Sequence, residues 1–318
     1  MTATAGAPGD RPLRPSGSPS GHVDRVVMTD RLATAGLWAI GVFVVVILVA
    51  IIAHFMLAAI GTLSPSFLFG DPSDTGVGGV GPILFNSLYI LVLTLLITVP
   101  LGTLGGIYMA EYAGEGRVTA VIRFSQELIS SVPSIVVGLF GLALFVNATH
   151  WGFTALGGAL ALTVFNLPLM PRLAEQAIRA VPDDERQASL ALGTSKWRTI
   201  VHVVLPIAIP GIVTGIVLTA GRIFGEAAAL LFTAGLSTPV HYDFFNFNLT
   251  DERSPWSPFH KGATTLSVYI WKINSEGLGS FVREIADTTS AVLVLMVLAF
   301  NLGARGLGRA LQRRITGA

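Results

Sequence analysis

The chain has 318 residues, of which 52% are hydrophobic and only 12% charged, with a net charge of +1 and no cysteine. Soluble domains carry about 25% charged residues, so the composition excludes an ordinary soluble protein of this length. The charge balance speaks against the basic stripe of a nucleic-acid binder. Without thiols there is no disulfide framework and no cysteine-based metal, redox or nucleophilic centre.

Taken in chain order, residues 1–30 are rich in Pro, Gly, Ser and Thr and read as a disordered tail. The first apolar run, from Gly36 to Ile60, is too long for the ~7–15-residue core of a cleaved signal and long enough to span a bilayer. Five more spans are predicted: Ile83–Met109, Phe124–Val146, Phe153–Met170, Ile207–Thr233 and Thr288–Leu302. The fold class is therefore an all-α membrane protein of about six transmembrane helices.

Lys and Arg fix the orientation. Arg11, Arg14, Arg25, Arg31, Arg117, Arg123, Arg172, Arg179, Arg186, Lys196, Arg198, Arg305, Arg309, Arg313 and Arg314 fall on one side. Only Arg253, Lys261, Lys272 and Arg283 fall on the other, and Arg222 lies within the fifth span. By the positive-inside rule both termini are predicted to be cytoplasmic, which requires an even number of spans. The basic loop 171–206 is then cytoplasmic, and the long loop 236–287 faces outward.

Within the cytoplasmic loop, Pro182 suits the first position of a helix, and Asp183, Asp184 and Glu185 follow where the helix dipole favours acids. Ala188, Leu190, Ala191 and Leu192 continue a partly apolar helix, and Gly193 suits its end. A second segment re-enters the membrane at Pro206. Such a displayed amphipathic helix either docks into a groove on a partner or lies on lipid headgroups.

The stretch from Gln187 to Pro206 resembles the EAA loop of bacterial ABC importer permeases: Glu-Ala-Ala, three residues, Gly, nine residues, then Ile-x-Leu-Pro. Gln187, Ala188 and Ser189 occupy the first three positions, Gly193 the glycine, and Val203, Leu205 and Pro206 the end. Gln187 replaces Glu and Ser189 replaces Ala. The resemblance implies a coupling loop, 182–206, that seats on an ATP-binding subunit. The chain holds three lysines, none after a glycine, so it carries no Walker A motif. ATP and its magnesium are thus expected on partner subunits, with no cofactor, metal site or catalytic residue in this chain.

Charges inside spans are costly and are functional candidates. Arg222 and Glu226 are four residues apart, so they are predicted to lie on one helix face within pairing reach, and form either a structural pair or a pathway site. In the second case Arg222 meets an anionic solute, for which a planar guanidinium suits bidentate contact, and Glu226 tempers the attraction. Two GxxxG patterns, Gly211/Gly215 and Gly221/Gly225, predict close packing of this helix. Glu127 sits near the start of the third span at the cytoplasmic interface, and Pro133 is predicted to kink that span.

Further stretches are similar to the phosphate-specific ABC importer, in particular its A-type permease subunit (the PstA family). They are Gly79-Val-Gly-Pro-Ile83, Val132 to Gly141, Asn166 to Glu175, and Gly225-Glu-Ala-Ala-Ala-Leu-Leu-Phe-Thr-Ala234. The resemblance covers roughly residues 60–305. It implies a type I ABC importer transmembrane-domain fold over a permease domain, residues 31–318, in the bacterial plasma (inner) membrane. The implied partners are a sister C-type permease, two ATP-binding subunits and an extracytoplasmic phosphate-binding protein. Phe244, Phe245, Phe247, Trp256, Phe259 and Trp271 of the outer loop either help to receive that protein or form an interfacial aromatic belt. The alternatives are a permease for molybdate or sulfate, an ATP-independent transporter or channel, and an intramembrane enzyme. The last lacks any convergent catalytic set.

Overall fold

A computed structural model describes residues 20–72, 78–237, 242, 245–251, 254–277 and 281–316. Residues 1–19 of the expected tail, with Arg11 and Arg14, lie outside the described residues, as do Phe244 and Arg253. Among the described residues all regular structure is helical, apart from one isolated bridge between Thr154 and Lys261.

The chain divides into two units, residues 1–54 and 55–318. Helix α1, Ser20–Ala58, starts inside the stretch read as a tail. Residues 22–35 contain neither Gly nor Pro, so nothing stops the helix of the apolar run from propagating backward through them. Its apolar side chains, Val42, Val45, Val46 and Val49 among them, are exposed, which suits a helix solvated by lipid.

In the second unit, α2 (Pro65–Phe69) is capped by Ser64 and precedes α3 (Gly81–Ile107). A π-helical turn, Tyr108–Tyr112, lengthens α3 into a 32-residue span. The third span is not one helix. α4 (Arg117–Ser131) meets α5 (Ser134–Gly141, extended by a π-helical segment to Ala148) at 98°. Proline removes a donor and forces its predecessor out of the helical region, and Val132 is accordingly extended. The expected kink at Pro133 is a near right-angle break.

The fourth span is likewise split. α6 (Ala155–Asn166) and α7 (Leu169–Arg179) differ by 49° across Leu167-Pro168. After the short α8 (Asp183–Ala191), the fifth span runs from Lys196 to Gly225 through α9 (Lys196–Thr199), a π-helical turn (Ile200–Val204) and α10 (Leu205–Gly225). It starts before Ile207 and stops well short of the expected Thr233. A separate short helix, α11 (Ala228–Leu231), follows. The outer loop contains α12 (Leu266–Glu276) and the start of α13 (Val282–Thr316), so the last helix exceeds its predicted 288–302 at both ends. Four helices are long and apolar enough to cross a membrane, and the two bent pairs bring the spans to six.

Three apolar clusters order the bundle. Ile90, Leu162, Ile223, Phe224 and Leu230 fill the largest. Ile107, Ile178, Ile200 and Val204 close one end, and Phe67, Ile83, Leu266 and Val292 close the other. Small residues set the closest approaches. A Cβ on Gly211 of α10 would stand 2.6 Å from the Ala177 Cβ of α7, and one on Gly215 3.1 Å from the Leu173 Cβ. The second predicted GxxxG packs against nothing, for no atom lies within 4 Å of a Cβ at Gly221 or Gly225.

Candidate functional site

The loop between α7 and α10 is built as a rigid foot. Pro182 stands one position earlier than predicted, as the residue before α8, with Asp183, Asp184 and Glu185 in the first turn. Gly193 has φ +80°, which only glycine adopts without strain, and ends the helix as expected. Gln187 and Ala188 are exposed, and so are Leu190, Trp197 and, at 85%, Leu192. Apolar side chains thus point out of the foot, while Leu205 of α10 packs against the inner cluster and Pro206 follows it at the helix start.

Ser189, where the related pattern has Ala, is half-buried and joins a ring of three hydroxyls. Its Oγ lies 2.8 Å from Thr194 Oγ1 and 2.9 Å from Thr199 Oγ1, which are themselves 3.0 Å apart. The Thr194 hydroxyl donates to the Ser189 carbonyl at 2.7 Å, so the ring closes the turn after α8.

Arg186, which entered the sequence reading only as one of the basic residues on one side, ties the foot to the spans. Its Nε donates to Glu111 Oε1 at 3.0 Å, its Nη2 to the Ile178 carbonyl at 2.7 Å, and its Nη1 to the Val181 carbonyl at 2.5 Å and Asp183 Oδ1 at 3.0 Å. Lys196 adds a bond to the Glu111 carbonyl and sits 4.8 Å from the Tyr112 ring centroid. Nearby, buried Glu175 accepts from Arg123 at 2.7 Å and Arg179 at 2.9 Å, joining α4 to α7. Glu175–Arg179 and Asp183–Arg186 have helical i,i+4 and i,i+3 spacings, but only spatial proximity unites Arg123 with Glu175 and Arg186 with Glu111.

In the membrane the expected Arg222–Glu226 pair is not formed. The helix that would carry both on one face ends at Gly225, and Glu226 is extended. Its Oε1 instead accepts from the Ala229 amide at 3.1 Å, at the start of α11. Each charge therefore sits where a helix dipole favours it: the cation in the last turn of α10, the carboxylate before α11. The Arg222 guanidinium lies over the Phe165 ring of α6, 3.7 Å from its centroid, a cation–π contact. Among the described residues no salt bridge reaches Arg222. Among the described residues no hydrogen bond takes up its donors, which leaves a half-buried cation in a span, able to meet an anion.

Residues 254–261 cover the start of α6: the Leu156 amide donates to the Pro258 carbonyl at 2.8 Å, and the Ala155 amide to the His260 carbonyl at 3.3 Å. Trp256 packs edge-on against Phe85 and stacks on Phe247, and Phe259 meets Trp151. Phe245 is 89% exposed. The Tyr242 hydroxyl donates to Asn86 Oδ1 at 2.7 Å, and burial raises its pKa. His260 is fully buried between the Tyr89 and Tyr242 rings, with Nδ1 2.6 Å from the Ser257 carbonyl and Nε2 without a partner among the described residues. Its pKa is lowered chiefly by burial.

A bundle of broken spans around an intramembrane cation, with an apolar foot outside the bilayer, defines a membrane transport domain. Residues 102–317 match the family described as the binding-protein-dependent transport system inner membrane component, and the chain belongs to that family. It is 50% identical to a probable ABC transporter permease protein, YqgI, of Bacillus subtilis over 91% of this chain and 98% of that one. It is 36% identical to the phosphate transport system permease protein PstA 1 of Mycobacterium tuberculosis over 71% of this chain and 69% of that one. Among solved structures it resembles a chain of a bacterial ABC transporter involved in alginate import, with a TM-score of 0.59 at 16% identity, over 91% of this chain and 99% of that one. It also resembles a chain of the MetNI methionine ABC transporter, with a TM-score of 0.55 at 18% identity, over 73% and 94%. The fold is that of type I ABC importer transmembrane domains, and the chain is a multi-pass membrane permease subunit.

Proposed function

We propose that this chain is the A-type permease subunit of an ATP-driven importer of inorganic phosphate, and that Arg222 is its anion contact in the membrane. The observation that carries the pathway reading is the half-buried guanidinium over Phe165 with no carboxylate bridged to it. The choice of phosphate rests on the permease relatives named for phosphate transport. Glu226, at the adjoining helix break, keeps negative charge near the path and prevents the anion from being held too tightly.

In this reading a sister C-type permease completes the pathway, and two ATP-binding subunits carry ATP and magnesium. An extracytoplasmic phosphate-binding protein docks on the outer loop, where Phe245 is exposed. The protein lies in the bacterial plasma (inner) membrane with both termini cytoplasmic, as the distribution of Lys and Arg supports. Closure of the ATP-binding subunits moves the foot that presents Gln187, Ala188, Leu190 and Leu192, and the spans switch from outward to inward facing.

The test is ATP-dependent uptake of radiolabelled phosphate by proteoliposomes holding the assembled complex. Uptake should need ATP, resist excess sulfate and molybdate, and fall at least tenfold in Arg222→Ala, as loss of a charge-assisted contact implies. Arg222→Lys should restore part of it. Undiminished uptake by Arg222→Ala would remove Arg222 from the path, and an intact complex that moves only another oxyanion would overturn the phosphate assignment.

A further inference from the structure

The two helix breaks meet at a second polar cavity. It has a volume of about 330 Å³ and is lined by Arg123, Gln126, Glu127 and Ser130 of α4 and by Pro168 and Arg172 at the start of α7. One wall is the last turns of the helix that ends at the 98° break; the other begins at the 49° bend. Phe165, under Arg222, and Arg172, on the cavity wall, stand on opposite sides of the 49° bend. In the proposed orientation the cavity lies on the cytoplasmic side of that bend.

Arg123, Glu127 and Arg172 are exposed on its walls. Arg123 is engaged by Glu175 at 2.7 Å. Arg172 and Glu127, which line the same space, make no salt bridge with each other or with any other described residue. No hydrogen bond joins either side chain to another described residue, nor the side-chain amide of Gln126. Opposite charges that share a cavity without touching leave room for a group that satisfies both. That group must accept from a guanidinium and an amide and also donate a proton to a carboxylate.

We propose that this cavity is a second oxyanion site and that it selects an oxyanion that still carries a proton. Phosphate fits: it keeps at least one proton at neutral pH, so one oxygen donates to Glu127 while the others accept from Arg172 and Gln126. Sulfate is fully deprotonated there and would face Glu127 with like charge and no donor, the repulsive element that specificity requires. The two hinges that form its walls make its shape depend on the angles of both breaks. This inference deepens the phosphate reading above and rests on it for its place in the transport cycle.

The chain has no cysteine, so a single reporter thiol is unique within it. Ser131→Cys, on the wall of the cavity, is labelled in the purified assembled complex with an anionic methanethiosulfonate, with inorganic phosphate or sulfate as competitor. Phosphate should slow labelling and sulfate should not. Arg172→Gln should raise the half-protecting phosphate concentration roughly tenfold or more, the loss of one charge-assisted bond. Arg172→Lys, which keeps the charge and guards against a folding defect, should lie between. Glu127→Gln should let sulfate protect. Equal protection by both anions in the parent, or no protection by phosphate, overturns the site. The assay needs no transport, so the two readings fail separately. Selective protection without phosphate uptake leaves the site and sinks the importer assignment, and uptake without protection does the reverse.

Discussion

Arg186 Nε stands 3.0 Å from Glu111 Oε1, and this bond, with that of Lys196 to the Glu111 carbonyl, joins the exposed foot to the π-helical turn that ends the α3 span. The same guanidinium holds the carbonyls of Ile178 and Val181 after α7, so a force on α8 reaches two spans through one side chain. Arg186→Met is expected to preserve ATP hydrolysis by the assembled complex while lowering the phosphate moved per ATP. It also strands a nearly buried carboxylate, for which the cost is about 3 kcal/mol or more, whereas the double variant with Glu111→Leu should recover much of it. Parallel ATPase, uptake and thermal-unfolding measurements check both halves; unchanged coupling in Arg186→Met would refute the linkage.

Ser189→Ala restores the residue more usual in the related pattern and opens the hydroxyl ring. Loss of its bonds to Thr194 and Thr199 should cost about 1 kcal/mol locally. Hydrogen exchange should become faster in residues 189–199 and stay unchanged in α3. Equal protection in both proteins would show that the ring does not hold the turn.

The two GxxxG patterns should respond oppositely to substitution. Gly211→Leu places a side chain where even a Cβ meets Ala177 at 2.6 Å, and should separate α10 from α7 and lower the melting temperature of the complex. Gly221→Ala enters open space within a helix and should be neutral or stabilising by up to ~1 kcal/mol. Comparable loss in both variants would contradict this packing.

His260 predicts a pH response in the loop that covers the start of α6. Burial lowers its folded pKa, so the unfolded chain binds the proton more readily. The neutral ring is therefore tolerated above the ordinary value of about 6.5, and stability is lost as the pH falls below it toward the folded value. Protection factors, the observed exchange rates corrected for the intrinsic pH dependence, should fall in residues 254–264 as the pH is lowered from 7.5 to 5.5. His260→Phe should abolish the fall, at the expense of the bond to the Ser257 carbonyl. A fall of the same size in that variant would point to another group.

The coupling foot was legible because its signals are local: a proline, three acids and a glycine with φ +80° occupy fixed positions along one short helix. The shared helix face of Arg222 and Glu226 was misread for the complementary reason. A spacing of four residues means a shared face only while the helix continues, and Gly225 is where it stops. No hydropathy window reports such a stop, because α11 beyond the break is as apolar as α10 before it.

What the sequence determined by itself is the membrane class and the approximate places of the apolar segments, because hydropathy acts residue by residue against lipid and water. What only the tertiary structure decided is which charges meet. Glu111 and Arg186 are 75 residues apart and Arg123 and Glu175 are 52 apart. Phe165 and Arg222 come from different spans. Partners so distant in sequence are chosen by how broken helices pack, and the angles of those breaks are set by the bundle as a whole.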